Sequence, residues 1–245
     1  MPNTNPTLRR TATEVKNHRR VVRITWAVIG VLLALTVLLS VISVLYSRYG
    51  SFTVTINTLD NIKYGLALAE SREFGAPTAR INYKSNEEVT NISKDALPIN
   101  LDSDEGGEHS GANYSAYTFF LKNTGKSAVT IQYELFIANM SNGMQDAIRV
   151  RFYVDGEYED FAEAAKGGGP EPDTTIFLTE TTVLKRTIDN YLPDQITRFT
   201  VVLWIEGDDP DCTDDILGGQ VKFDMNIIVL SSEDEDNSAS DGLAG

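Results

Sequence analysis

The chain has 245 residues, with 21 basic against 35 acidic side chains and a net charge of −14. An acid excess of this size repels nucleic-acid phosphates and gains nothing from counterion release, which argues against DNA or RNA as a partner. Cys212 is the single cysteine, so no disulfide forms within the chain and the fold must rest on packing.

The first element is residues 24–47, opening on Ile24 and closing on Ser47, where no side chain is charged and fourteen are Leu, Ile or Val. As a helix rising about 1.5 Å per residue, the stretch reaches about 36 Å, enough to cross a hydrocarbon core of about 30 Å. Residues 1–23 carry Arg9, Arg10, Lys16, Arg19, Arg20 and Arg23 against Glu14 alone, so this flank is expected to stay in the cytoplasm. The expected topology is a single-pass plasma-membrane protein with a signal anchor, its amino end inside and its carboxyl end outside. A signal peptide that is cleaved to release a secreted protein is the competing reading. Its apolar core is shorter, about 7–15 residues, and closes on small residues, whereas this exit reads Val44-Leu-Tyr-Ser-Arg-Tyr49.

Beyond residue 48 the chain holds 14 basic and 34 acidic residues, opposite in sign to the +6 of residues 1–48. Residues 48–230 suffice for one sizeable core, and they are read as one extracellular domain. Phe52, Val54 and Ile56 alternate with Thr53, Thr55 and Asn57, the mark of a strand with one buried face. Residues 64–69 form a weaker strand, with Leu66 and Leu68 inward. Residues 82–111 turn polar, with Pro98, Gly106, Gly107 and the acids Asp102, Asp104, Glu105 and Glu108, and read as a long mobile loop.

Tyr117, Phe119 and Leu121, a turn at Asn123-Thr-Gly-Lys126, and then Val129, Ile131, Tyr133, Leu135 and Ile137 read as a hairpin. Ile148, Val150, Phe152 and Val154 alternate with Arg149, Arg151 and Tyr153 as a further strand, closed by Asp155-Gly156. Residues 157–166, with Tyr158, Phe161 and Ala165 on one face and Gly167–Gly169 after them, predict a short helix with a glycine stop. Strands are expected at 175–178 and 182–188. In 196–206, Phe199, Val201, Leu203 and Ile205 share one face while Val202 and Trp204 take the other, so this strand should be central or covered. Residues 220–230 place Val221, Phe223, Met225, Ile227 and Val229 inward. Residues 231–245 are acidic and nearly free of apolar side chains, and read as a disordered tail. The fold class is therefore all-β: an antiparallel two-sheet sandwich, jelly-roll or immunoglobulin-like, preceded by one transmembrane helix.

Three stretches carry a family resemblance: Tyr117-Thr-Phe-Phe-Leu-Lys-Asn-Thr-Gly-Lys-Ser-Ala-Val-Thr-Ile131, Trp204-Ile-Glu-Gly-Asp-Asp-Pro-Asp-Cys-Thr-Asp214 and Gly219-Gln-Val-Lys-Phe-Asp-Met-Asn-Ile227. On these, residues 52–230 resemble the camelysin/TasA family of exported Gram-positive proteins. The resemblance implies a jelly-roll sandwich and, as in some members, assembly into extracellular biofilm matrix fibres by lending a strand to a neighbour. Members lose a signal peptide, whereas the apolar stretch here reads as retained and stands close to the first strand.

Catalytic chemistry finds little support. His18 and His109 are the only histidines, so a zinc-protease helix with histidines at i and i+4 is excluded. Asn123-Thr-Gly-Lys-Ser127 imitates the end of a phosphate loop, but Phe120 stands where the motif requires its first glycine. No enzyme, catalytic residue or resident cofactor is expected. The loop Asp208, Asp209, Asp211, Asp214 and Asp215 is the candidate metal site, because calcium takes about six to eight oxygens from carboxylates and loop carbonyls. A solvated acidic turn leading into a helical turn at Ile216 is the competing account. The leading expectation is a membrane-anchored cell-surface protein with a structural or interaction role, self-associating or meeting a protein partner through edge strands. A surface ligand- or cation-binding module is the alternative.

Overall fold

A computed structural model describes residues 12–46, 51–84, 89–102 and 105–232. Arg9, Arg10, Ser47, Tyr49, Asp104 and most of the acidic 231–245 segment lie outside the described residues, so the readings placed on them are not addressed. The chain divides into two compact units, Met1–Arg48 and Tyr49–Gly245.

The first unit holds helix α1, Ala12–Tyr46, which begins before the apolar stretch. Within it Val21–Ser40 is long and apolar enough to cross a membrane, and none of those residues is buried. The three hydroxyl side chains of this span turn back onto the helix. Thr25, Thr36 and Ser40 donate their hydroxyls to the carbonyls of Val21, Leu33 and Thr36 at 2.8–2.9 Å, which satisfies them without water, as a hydrocarbon surrounding requires.

The second unit is a sandwich of two sheets. Its elements are β1 (Ser51–Ile56), α2 (Thr58–Tyr64), β2 (Leu66–Ala69), β3 (Arg80–Lys84), β4 (Asn91–Ile92), β5 (Gly107–Glu108), β6 (Tyr114–Asn123), β7 (Val129–Met140), β8 (Ile148–Val154), β9 (Glu157–Ala162), β10 (Thr175–Ile176), β11 (Thr182–Tyr191), β12 (Ile196–Glu206) and β13 (Val221–Ser232). The smaller sheet runs β11-β7-β13-β1-β3. The larger runs β10-β9-β8-β12-β6-β2, with β4 added on β12 and β5 on β6. Most neighbours are antiparallel, but β1 lies parallel to β13, with Val54 opposite Met225. The expected inward residues of β1, β6, β7, β12 and β13 meet in one core, Ile205 excepted. Aromatic rings join its two layers: Phe119 stacks on Phe199 at 5.4 Å, and Tyr133 of the opposite sheet meets Phe199 edge-on at 5.3 Å.

Three expectations are corrected. Residues 117–137 are not a hairpin: β6 pairs with β12 and β2 in the large sheet, and β7 with β11 and β13 in the small one. The turn between them is a corner from one sheet to the other. Asn123 holds it from inside, its Nδ2 donating to the carbonyls of Ser127 (3.0 Å) and Tyr191 (2.8 Å) and its Oδ1 accepting from Gly125 N–H (2.9 Å). Gly125 is required there, since a Cβ would come within 2.1 Å of the Tyr64 carbonyl oxygen. The predicted helix over 157–166 is instead strand β9, paired with β8 so that Tyr158 faces Tyr153 and Asp160 faces Arg151. Asp155 (φ 50°) and Gly156 (φ 100°) both take positive φ, the requirement of a tight type I′ hairpin turn.

The long loop 82–111 is the third. Its described part contributes the end of β3, then β4, a 3₁₀ turn at Lys94–Ala96 and β5, and it lies over the outer face of the large sheet. Leu97 and Leu101 pack there on Ala116, Tyr153, Val202 and Trp204, a second apolar cluster. This cover explains why both faces of β12 are apolar. Helix α2 is an unexpected element. The Asn57 side chain caps it by accepting from Leu59 N–H at 3.0 Å, and Gly65 ends it in the left-handed conformation (φ 78°).

Candidate functional site

The outer face of the large sheet gathers most of the buried charge of the sandwich. Strand alternation that turns Ile148, Val150 and Phe152 into the core turns Arg149 and Arg151 to the other side, where each is buried. A guanidinium out of water needs a partner, and each of these has one. Arg151 meets Asp160 through two bonds of 2.6 and 2.8 Å, and its guanidinium lies 4.3 Å over the Tyr158 ring and 5.7 Å from Trp204. Arg198 bonds Asp102, which also accepts from the Thr200 hydroxyl at 2.7 Å.

Arg149 is the centre of the densest group. Its Nη2 bonds Asp209 and lies 3.6 Å from Glu171, while its Nη1 donates to the Ile148 carbonyl at 3.3 Å. Asp209 in turn receives the backbone N–H of Asp211 at 2.8 Å, which brings Asp211 alongside, and Lys166 reaches Asp211 at 2.7 Å from its exposed position. Oxygens of Glu171, Asp209 and Asp211 all lie within 4.8 Å of one another. Burial pushes the Glu171 carboxyl above its ordinary range. The Asp209 and Asp211 charges add to that rise, and Arg149 opposes it.

Of the five predicted metal-site residues, Asp209 and Asp211 therefore come together, and Asp208, Asp214 and Asp215 do not join them. Asp208 is exposed and accepts from the Ser93 hydroxyl at 2.5 Å. Asp214 and Asp215 are exposed and open a 3₁₀ turn at Asp214–Ile216, where Thr213 makes no side-chain cap. Glu171, Arg149 and Lys166 complete the group from two other segments. Three carboxylates thus face one guanidinium and one ammonium, with Arg149 on Asp209 and Glu171 and Lys166 on Asp211. His109 directs Nε2 at the Leu101 carbonyl (2.9 Å) and Nδ1 at the Gly107 carbonyl (3.2 Å), which ties the covering segment to itself.

The geometry defines a β-sandwich preceded by one apolar helix near its amino end, with its buried charges held in ion pairs. No protein-family model and no curated protein sequence matches the chain. Among solved structures, a selenomethionine-labelled β-glucosidase from Kluyveromyces marxianus is 14% identical over 54% of this chain, with a TM-score of 0.24. A second structure of β-glucosidase from Kluyveromyces marxianus, in complex with glucose, is 12% identical over 73% of this chain, with a TM-score of 0.26. The chain spans 13% and 17% of those two proteins, and likeness of this degree carries no assignment.

Proposed function

We propose that this is a membrane-anchored cell-surface sandwich with a structural role, joining other proteins through an exposed sheet edge. The amino end stays in the cytoplasm on its basic flank, and α1 is retained as an anchor. The single observation that carries the reading is β11. It ends the small sheet, runs ten residues, and leaves Lys185, Arg186, Thr187, Asp189 and Asn190 exposed. The other terminal strands are shorter: β3 has five residues, β2 four and β10 two. An edge strand presents backbone donors and acceptors that another strand can complete. The resemblance to the camelysin/TasA family points toward matrix assembly. Here, however, β1 is paired on both sides within its own chain, so the free edge rather than a lent amino-terminal strand is the route we favour.

The test uses the full chain in cells and in detergent. It is expected to stay with membranes through alkaline carbonate extraction, with the sandwich open to added protease. A proline at Thr187 or at Ile188 is expected to abolish association. Successive N–H groups alternate in direction, so one of the two positions points away from β7 and its proline leaves Tm unchanged. Association that survives that silent proline would remove the edge from the account.

A calcium-binding surface module is the second reading, favoured by the convergence of Glu171, Asp209 and Asp211. Because Arg149 already holds Asp209 and lies beside Glu171, adding millimolar calcium is expected to leave the Tm of the natural chain unchanged. A rise of several degrees would transfer preference to the second reading.

A further inference from the structure

Resting on the edge reading above, we propose that the partner of β11 is β11 of a second copy, antiparallel and centred on Thr187, fusing two five-stranded sheets into one of ten. The register follows from symmetry and charge. A two-fold axis that places an antiparallel copy beside a strand stands perpendicular to the sheet. It keeps every residue on its own face, so a residue can only oppose one an even number of positions away.

Four centres, 185 to 188, lie where the exposed run is still regularly paired with β7. A centre at Lys185 sets Lys against Lys, and a centre at Arg186 sets Arg against Arg. A centre at Ile188 sets Arg186 against Asn190 and Thr187 against Asp189, with no opposite charges. Only Thr187 at the centre sets Lys185 against Asp189 of the partner subunit, and Asp189 against Lys185 of the partner subunit, two ion pairs from one strand. The side chains are placed for it. Lys185 already has Glu134 of β7 at 3.7 Å, a loose pair that leaves its charge to be shared with a second acid, while Asp189 makes no ion pair among the described residues. Arg186, on the other face, is held by Glu159 and the Phe161 ring of the large sheet and stays clear of the seam. Regular pairing with β7 ends at Ile188, and Asp189 opens the bulge that closes at Tyr191, so the paired length is short and the Lys185 and Asp189 charges weigh heavily in the choice of register.

The experiment uses the full chain in detergent with Cys212→Ser. Thr187→Cys is expected to give a disulfide-linked dimer on mild oxidation, because directly opposed residues of an antiparallel pair lie about 4.5–5.5 Å apart at Cα, within disulfide reach. Thr182→Cys, which opposes a different residue in this register, is expected to remain monomeric on the same gel. Lys185→Glu is expected to weaken sedimentation-measured dimerisation about tenfold, by turning two attractions into two repulsions. Combining it with Asp189→Lys is expected to restore dimerisation to within about twofold. A monomeric natural chain, equal cross-linking at positions 182 and 187, or no rescue by the charge swap would each overturn the proposal. If the silent edge proline still blocks association while the swap fails to rescue it, the edge reading stands and the self-pairing register alone is lost.

Discussion

Arg149→Met is expected to cost the sandwich about 3–5 kcal/mol, the usual penalty for removing one member of a buried ionic group and leaving the other uncompensated. Arg149 is 3% exposed, Asp209 7% and Glu171 9%, so solvent does little to screen the carboxylates left behind. Methionine fills much of the volume, which keeps the loss electrostatic rather than one of packing. The penalty should shrink on acidification. Without the guanidinium, the buried Glu171 binds a proton more readily in the folded chain than in the unfolded one, so the variant gains relative stability as pH falls toward the ordinary carboxylate range. Urea unfolding of the natural chain and of the Arg149→Met variant at pH 7 and pH 5 measures both statements. A loss under about 1 kcal/mol at pH 7, the scale of a solvated surface pair, would show that the group is exposed in solution. Millimolar calcium is expected to recover part of the variant's stability and none of the natural chain's, because the substitution removes the guanidinium that meets Asp209 and Glu171.

The same group shows where the sequence is readable and where it is not. Alternation in 196–206 reveals both apolar faces of β12, and with them the need for a cover, because period-two patterning is local and each face reports its own surroundings. Arg149 and Arg151 follow the same alternation, yet nothing local distinguishes an arginine facing water from one facing Asp209 or Asp160. Asp209 stands sixty residues from Arg149, and Glu171 is set between Pro170 and Pro172 with no spacing that links it to either. The corner at Asn123 misleads for a related reason. A turn sequence reports that the chain reverses, while pairing with β12 or β7 depends on which sheet each strand joins. Asp155-Gly156 is a stronger signal, since positive φ at both positions dictates a tight hairpin. Tyr158, Phe161 and Ala165 obscure it by falling at helical spacing, although Phe161 enters the core from a strand. Helix α2 is marked by Asn57 and Gly65 at its two ends, but its seven residues bury no side chain, so no apolar periodicity betrays it.

Alkaline pH should unfold the sandwich in a cooperative step, beginning near the ordinary tyrosine pKa of about 10. Burial raises the phenol pKa of Tyr117, Tyr133, Tyr153 and Tyr191 in the folded chain. Tyr117 is raised further by Glu70, to which it donates, whereas Arg151 and Arg186 pull Tyr153 and Tyr133 part of the way back. Tyr191 spends its hydroxyl on the Leu121 carbonyl at 2.7 Å, an acceptor that a phenolate would repel. The sign follows from proton counting: above pH 10 the unfolded chain releases these protons and the folded chain retains them, so rising pH favours unfolding. The stability these groups contribute is complete below pH 10 and is lost toward their raised folded values. Each costs up to about 1.4 kcal/mol per pH unit for as long as the folded chain keeps the proton that the unfolded chain has lost. A few such protons weigh heavily against the marginal stability of an ordinary domain. Tyrosinate absorbance recorded alongside circular dichroism from pH 8 to 12 provides the measurement. The exposed members of the ten tyrosines should titrate first, with the remainder appearing together with loss of the β signal. A single smooth titration near pH 10 with the β signal intact would mean that these four rings are open to water.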